Sequence, residues 1–143
     1  MDWNTVASVA TAIGVAVAAW QIWESRHLAQ MSFEDAIDKQ YRELAMQIPV
    51  DVLLGKNISV KQKHQVREII YNYLDLCNEQ AYLRKKKRIS RARWREWCEG
   101  IQSNLNKPVF KEVWEEVKRE APDEFTALTE LEKEGFNGEP AEL

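Results

Sequence analysis

The chain has 143 residues, of which 30% are charged and 45% are hydrophobic, and its formal net charge at pH 7 is −3. This length accommodates one ordinary domain with a modest core and excludes a second large domain. The two cysteines and two histidines stand apart in the sequence, outside any CxxC or Cys/His cluster. They therefore argue against a disulfide framework or a zinc site.

An apolar helix near the N-terminus is the first predicted element. Residues 5–19 carry no charged side chain, and about 21 helical residues span roughly 31 Å, close to the hydrocarbon thickness of a bilayer. Trp3 stands near one end and Trp20 and Trp23 near the other, where aromatic rings prefer the membrane interfaces. A cleaved signal peptide is the alternative, but the start lacks a positive region. We therefore predict a transmembrane helix at residues 1–23.

Four small residues recur along one face of this helix, at spacings of four, three and four. They are Ala7, Thr11, Gly14 and Ala18. Bulky side chains on the other side can meet lipid, whereas small ones allow the backbones of neighbouring helices to approach closely. We predict that these four residues form the interface of a homo-oligomer in the membrane. An alanine-rich anchor without a partner and a buried soluble helix are the alternatives.

Basic residues follow the apolar segment, whereas the short N-terminal flank carries only an acid. Arg26, Lys39 and Arg42 lie after the segment, and Asp2 lies before it. Lys and Arg collect on the cytoplasmic side of membrane helices. The N-terminus is therefore expected outside, and the C-terminal part in the cytoplasm.

Helical periodicity continues without a breaker over residues 24–48, so we expect the first helix to extend into the cytosol. Pro49 and the segment Leu54-Gly55-Lys56-Asn57, with its turn-forming Gly and Asn, should end this helix. A capping box at Ser59 predicts a new helix, whose single apolar face continues to about Leu83.

Three further helices are predicted after that one. Ser90 is a suitable N-cap, Pro108 opens the next helix, and residues 123–134 carry a last apolar face. The sequence therefore predicts an all-α fold, with a transmembrane helix followed by a small cytosolic helical bundle over residues 49–134. Residues 135–143 combine glycines, a proline and acids, which predicts a disordered tail.

A basic run without any acidic residue lies between two of these helices. It consists of Arg84, Lys85, Lys86, Lys87, Arg88, Arg91, Arg93 and Arg95. These cations repel one another unless an anion is near. The candidates are a phospholipid surface, the acidic C-terminal third of this or a neighbouring chain, and a phosphate-bearing ligand. A long helix over residues 24–48 would hold the run away from lipid, which favours a ligand or a protein, and internal charge balance is the alternative.

Polar and aromatic residues flank the basic run on both sides. Asn78 and Gln80 precede it, and Trp94 and Trp97 follow it. Amides can hydrogen-bond a nucleobase, and indole rings can stack on one. We therefore predict that Asn78 and Gln80 join the eight cations in a nucleotide site, while plain core packing is the alternative for the aromatic residues.

No constellation in the sequence points to catalysis. The glycines stand singly rather than in a phosphate loop, and no serine lies in a nucleophile elbow. Carboxylate pairs such as Asp75 and Glu79 are usual on the solvent face of charged helices. We predict no catalytic residue, metal site or cofactor, and no enzymatic activity.

Several short segments resemble a group of short, uncharacterised bacterial membrane proteins. These are FED at 33–35, YREL at 41–44, IP at 48–49, LLG at 53–55 and YLDLCNEQ at 73–80. In that group a Trp-flanked helix precedes a small helical domain, which implies a single-pass protein of the bacterial inner membrane. In arrangement the chain is also similar to small membrane effectors of antiphage defence, including those of type III CRISPR systems, whose cytosolic domains sense cyclic oligoadenylates.

The resulting expectation is an oligomeric membrane effector. Its cytosolic domain would sense an anionic, nucleotide-type signal, such as a cyclic oligonucleotide, and would alter the transmembrane bundle. The alternative is a membrane-tethered adaptor that docks a partner protein, without a pore or a small ligand. An anchored enzyme would need a catalytic group that the sequence does not offer.

Overall fold

The computed structural model describes residues 2–137, 139 and 140. This part of the chain is entirely α-helical, without a strand, as the sequence predicts. The chain divides into two compact units between Asp35 and Ala36. Its helices are α1 (Trp3–Ala45), α2 (Val50–Leu53), α3 (Val60–Lys85), α4 (Arg91–Leu105), α5 (Pro108–Glu120) and α6 (Thr126–Lys133).

Helix α1 begins in the apolar segment, and residues 2–29 are all exposed. Large apolar side chains such as Ile13 and Trp20 are therefore more than half exposed. After the apolar segment, Trp23 stacks on the imidazole of His27, with ring centroids 5.8 Å apart. By length and composition, this is the one helix among the described residues that could cross a membrane.

The helix boundaries follow local signals in the sequence. Ser59 caps α3 with its side chain, and the Gln62 side chain accepts from the Ser59 backbone N–H, which confirms the capping box. Ser90 caps α4 by accepting from the backbone N–H of Arg93. Pro108 occupies the first turn of α5, where its missing N–H costs no helical hydrogen bond.

The core of the second unit lies around α3, which packs against α4, α5 and α6. Tyr73 of α3 meets Phe110 of α5 edge to face, with ring centroids 5.3 Å apart. Trp114 of α5 meets Phe125 in the same geometry at 6.1 Å. All four rings are buried, so the apolar faces predicted from helical spacing do form one core.

The short helix α2 was not predicted. It occupies four residues after Pro49, and its Val52 is fully buried and belongs to the core. Gly55 follows at φ +76°, a left-handed conformation that glycine adopts without strain. The predicted stop after Pro49 therefore contains one additional helical turn before the chain reverses.

The segment after α6 lies partly outside the described residues, because positions 138 and 141–143 are not among them. Of the predicted disordered tail, Phe136 packs against the core, and its carbonyl oxygen accepts from the Cys98 thiol at 3.5 Å. Pro140 is buried, and the Glu139 side chain is 15% exposed. The described tail residues therefore lie against the helical bundle.

Candidate functional site

Helix α3 ends in a turn built entirely from cations. Lys86 is the C-cap, and Lys87 follows at φ 59° in the left-handed region. The Lys87 N–H donates to the Arg84 carbonyl at 2.8 Å, and the Arg88 N–H donates to the Leu83 carbonyl at 3.0 Å. These two hydrogen bonds form a Schellman motif, in which glycine is the usual left-handed residue.

We call Lys86, Lys87 and Arg88 the cationic turn. All three side chains are exposed, and none forms an ion pair with a carboxylate among the described residues. The Lys86 ammonium lies 5.5 Å from the centroid of the Tyr82 ring, a cation–π distance. Arg95 on α4 is likewise exposed and unpaired within the described part of the chain.

Other members of the basic run are paired with acids of the same chain. The Arg84 Nε donates to Glu139 Oε1 at 2.6 Å, while Arg84 Nη1 donates to the Ile89 carbonyl at 2.6 Å. The Arg84 and Glu139 side chains are only 12% and 15% exposed. Arg91 Nε lies 3.8 Å from the second oxygen of Glu139. This part of the run contributes to the fold.

Two more cations of the run have acidic partners on neighbouring helices. The Lys85 ammonium lies 3.2 Å from Glu130 of α6. Arg93 Nη1 lies 3.2 Å from Asp38 and 3.4 Å from Glu96. The eight predicted ligand-binding cations therefore separate into a set with carboxylate partners and a set without them in the described chain, and the second set is concentrated in the cationic turn.

The predicted amide ligands have structural surroundings of their own. Asn78 Oδ1 accepts from the backbone N–H of Leu128 at 3.1 Å, near the start of α6. Gln80 is 4% exposed and lines a cavity between α1, α3 and α4. The structure thus brings Asn78 to a helix terminus and Gln80 to a buried wall.

The two tryptophans after the basic run also belong to the bundle. Trp94 is buried in the core. Trp97 is half-buried and donates from Nε1 to Asp38 Oδ1 at 2.7 Å. Trp94 thus packs in the core, which was the alternative to base stacking. Trp97 joins α4 to the C-terminal part of α1.

The four small residues predicted at a helix interface, Ala7, Thr11, Gly14 and Ala18, all lie exposed on α1. The Thr11 hydroxyl donates to the Ala7 carbonyl at 2.9 Å, so it remains on its own helix. A Cβ built at Gly14 would meet no atom within 4 Å. Their role in self-association stays a prediction.

The thiols are buried and strongly protonated. Burial raises the pKa of Cys77 to about 12 and that of Cys98 to about 11. Burial likewise raises the pKa of Tyr73, whose hydroxyl accepts from Asn104 Nδ2 at 3.0 Å. Among the described residues, no group of three or more His, Cys, Asp and Glu side chains could hold a metal ion.

Acids of the C-terminal third, one of the predicted alternatives, pair with three cations of the run: Glu139 with Arg84 and Arg91, and Glu130 with Lys85. Asp38, the partner of Arg93, was not predicted. Glu139 lies 55 residues from Arg84, and Asp38 lies 59 residues from its second partner, Trp97. No local sequence signal indicates contacts at such separations. No family model, no curated protein and no solved structure matches this chain.

Proposed function

We propose that the protein is a homo-oligomeric effector of the bacterial inner membrane. In this proposal α1 crosses the bilayer with its N-terminus outside, and the helical domain binds a phosphate-bearing, nucleotide-type ligand at the cationic turn in the cytoplasm. The observation that carries the proposal is the set of three consecutive exposed cations at the end of α3. Antiphage defence is the setting that the arrangement suggests.

The conformation of Lys87 supports a role for its side chain. A residue with a Cβ costs about 1 kcal/mol in the left-handed region, and glycine avoids this cost. The chain nevertheless carries lysine at φ 59°, between two further cations. Residues held in unfavourable backbone conformations are frequent at binding sites, so the lysine charge is the property that we expect function to require.

The hydrogen bonding of the turn indicates how an anion would be held. The backbone N–H groups of Lys86, Lys87 and Arg88 already donate to carbonyls of α3. Only the side-chain cations remain for a ligand, so binding would be electrostatic and would weaken steeply with salt. A ligand with several phosphates fits three neighbouring cations better than a single carboxylate does.

The membrane part of the proposal is supported by the exposed apolar surface of α1. Contiguous apolar surface of this length is unfavourable in water and favourable in a bilayer. The small residues around Gly14 would let copies of the helix pack closely. Bound phosphate would relieve repulsion among the cationic turns of neighbouring subunits and so favour a different subunit arrangement.

The test measures binding of a fluorescent oligoadenylate, linear or cyclic, to the full chain in detergent by anisotropy at several salt concentrations. Lys87→Gly should weaken binding several-fold and lower the salt slope by roughly 1. The same variant should be more stable by about 0.5 kcal/mol, because the glycine relieves backbone strain. Light scattering with and without ligand reports the subunit number.

Lys111→Gln is the matched control, since it removes one exposed cation from α5 and should leave affinity within twofold of the parent. Lys86→Glu with Arg88→Glu should abolish binding without preventing membrane insertion. Survival of binding in that double variant, or an equal loss in the control, would contradict the proposal.

A membrane-tethered adaptor is the second candidate, and exposed apolar side chains favour it. Met46 and Val60 are 80% and 82% exposed, and Val50 and Leu54 between them are also exposed. These four side chains lie in one short stretch of the sequence, and exposed apolar side chains that form a patch are typical of protein contacts. A pulldown partner would favour the adaptor if its binding persisted without the cations of the cationic turn and was lost in the double variant Met46→Ser with Val60→Ser.

A further inference from the structure

A cavity of about 150 Å³ lies within the helical domain, between the C-terminal part of α1, α3 and α4. Tyr41, Tyr73 and Trp97 contribute aromatic walls. A cavity of this volume accepts a single six-membered ring. The cavity belongs to the second unit alone and includes none of the cationic turn, so it is a separate feature.

Gln80 lines this cavity with a side chain that is 96% buried, the complement of its 4% exposure. Its amide forms no hydrogen bond with any described residue, although neighbouring polar groups such as Asn78 and Asn104 have partners. The two amide atoms keep contact with the space of the cavity, since the fully buried side-chain atoms without a partner in the described chain are Trp114 Nε1 and Glu134 Oε2. Water satisfies an amide in this position until a ligand replaces it. The cavity is the place from which a partner for this amide can come.

Gly100 forms part of the same wall, in the interior of α4. Glycine destabilises a helix interior relative to alanine. The fold does not require it here, because a Cβ at this position would meet no atom within 4 Å. Gly100 is also exposed, so a larger side chain at this position would lie at the opening of the cavity.

The charges around the cavity are predominantly negative. Asp38 and Glu96 both line it, and both pair with the guanidinium of Arg93, at 3.2 and 3.4 Å. Two carboxylates thus share this cation. Aromatic faces also attract cations. The aromatic walls and the two carboxylates therefore both favour a positively charged ligand.

We propose that this cavity binds a small planar organic cation of the arylamidine or guanidine class. Its ring lies against the aromatic walls, its N–H groups donate to Asp38 and Glu96, and the Gln80 amide completes its hydrogen bonding. The site differs in ligand charge from the cationic turn and does not depend on it. Since Asp38 and Tyr41 belong to α1, a bound cation would contact that helix directly.

The test titrates the full chain in detergent with benzamidine, followed by ligand-observed NMR and by thermal shift. A nine-heavy-atom fragment should bind with a millimolar Kd and saturate. Benzamide and benzoate, its neutral and anionic counterparts, should bind at least tenfold more weakly. No saturable binding, or equal binding of benzoate, would overturn the proposal.

Variants locate the site. Gly100→Leu fills the cavity and should abolish benzamidine binding, while Gly100→Ala tests tolerance of the helix at that position and should stabilise it. Gln80→Leu, which keeps a similar volume, should weaken binding about tenfold and serves if Gly100→Leu does not fold. Undiminished binding in a folded Gly100→Leu or in Gln80→Leu would place benzamidine elsewhere and refute the assignment.

Discussion

Arg84 and the cationic turn are neighbours in the sequence but have opposite surroundings. Arg84 is held at 2.6 Å by both Glu139 and the Ile89 carbonyl, in a nearly buried position. Lys86, Lys87 and Arg88 follow after Lys85 and are exposed, without a carboxylate partner in the described chain. The basic run is thus not one site. A cation that pairs with an acid of the chain contributes to stability, whereas a cation without such a partner is available to bind a ligand.

The position of each residue on α3 accounts for the difference. Arg84 lies in the last turn and can reach the carbonyl of Ile89 after the chain reverses. The Schellman motif then directs the next three residues around the helix end, where solvent surrounds them. Charge-assisted hydrogen bonds in a shielded position are strong, whereas exposed charges contribute little to stability.

The largest contrast is expected from Arg84→Gln compared with Arg88→Gln. The first variant removes two short hydrogen bonds from partly buried acceptors and should lower the free energy of unfolding by about 2 kcal/mol. The second should change it by less than about 0.5 kcal/mol. Urea unfolding of the full chain in detergent, followed by circular dichroism, measures both.

The same two variants should differ in ligand affinity in the opposite direction. Arg88→Gln should weaken oligoadenylate binding, while Arg84→Gln, measured where it remains folded, should leave it nearly unchanged. If the two variants had equal stability, the distinction between paired and exposed cations would be wrong.

A smaller effect is expected at Asn78, which the sequence assigned to the ligand site. Its side chain accepts from the Leu128 N–H near the start of α6, so Asn78→Ala should cost about 1 kcal/mol, as loss of a helix N-cap does. Asn78→Asp keeps the acceptor oxygen and should restore most of this stability. If Asn78→Ala lowered ligand affinity without changing stability, Asn78 would belong to the ligand site after all.

The smallest effect is expected from Glu116, whose side chain is 32% exposed and so less shielded than that of Glu139. Arg67 Nε donates to Glu116 Oε2 at 3.0 Å, and this hydrogen bond lowers the pKa of Glu116 below its ordinary value of 4.5. Its stabilising contribution is therefore present above pH 4.5 and is lost as the pH falls through the lowered pKa. Melting temperatures between pH 6 and pH 3 should fall slightly less for Glu116→Gln than for the parent, and equal slopes would show that the pair contributes nothing.

The features predicted correctly from the sequence are those that depend on residues close together in the chain. Helical spacing identified the core helices, and Ser59, Ser90 and Pro108 marked where three of them begin, because caps act within one turn. The acidic C-terminal third was a predicted alternative for the basic run, but the individual partners of Arg84 and Asn78 were not predicted, since they lie 55 and 50 residues away. Helix α2 was missed because four residues carry too little periodicity to recognise.

The hydroxyls of α1 bear on how specific its self-association can be. Ser8 and Thr11 donate to the carbonyls of Asn4 and Ala7 on their own helix, at 2.8 and 2.9 Å. If α1 helices associate as proposed, these hydroxyls donate no hydrogen bond across the interface, and the shape of the small-residue face contributes most to aligning the copies. Shape matching by small residues tolerates more than one register, so the choice of subunit number falls to the helical domain that follows.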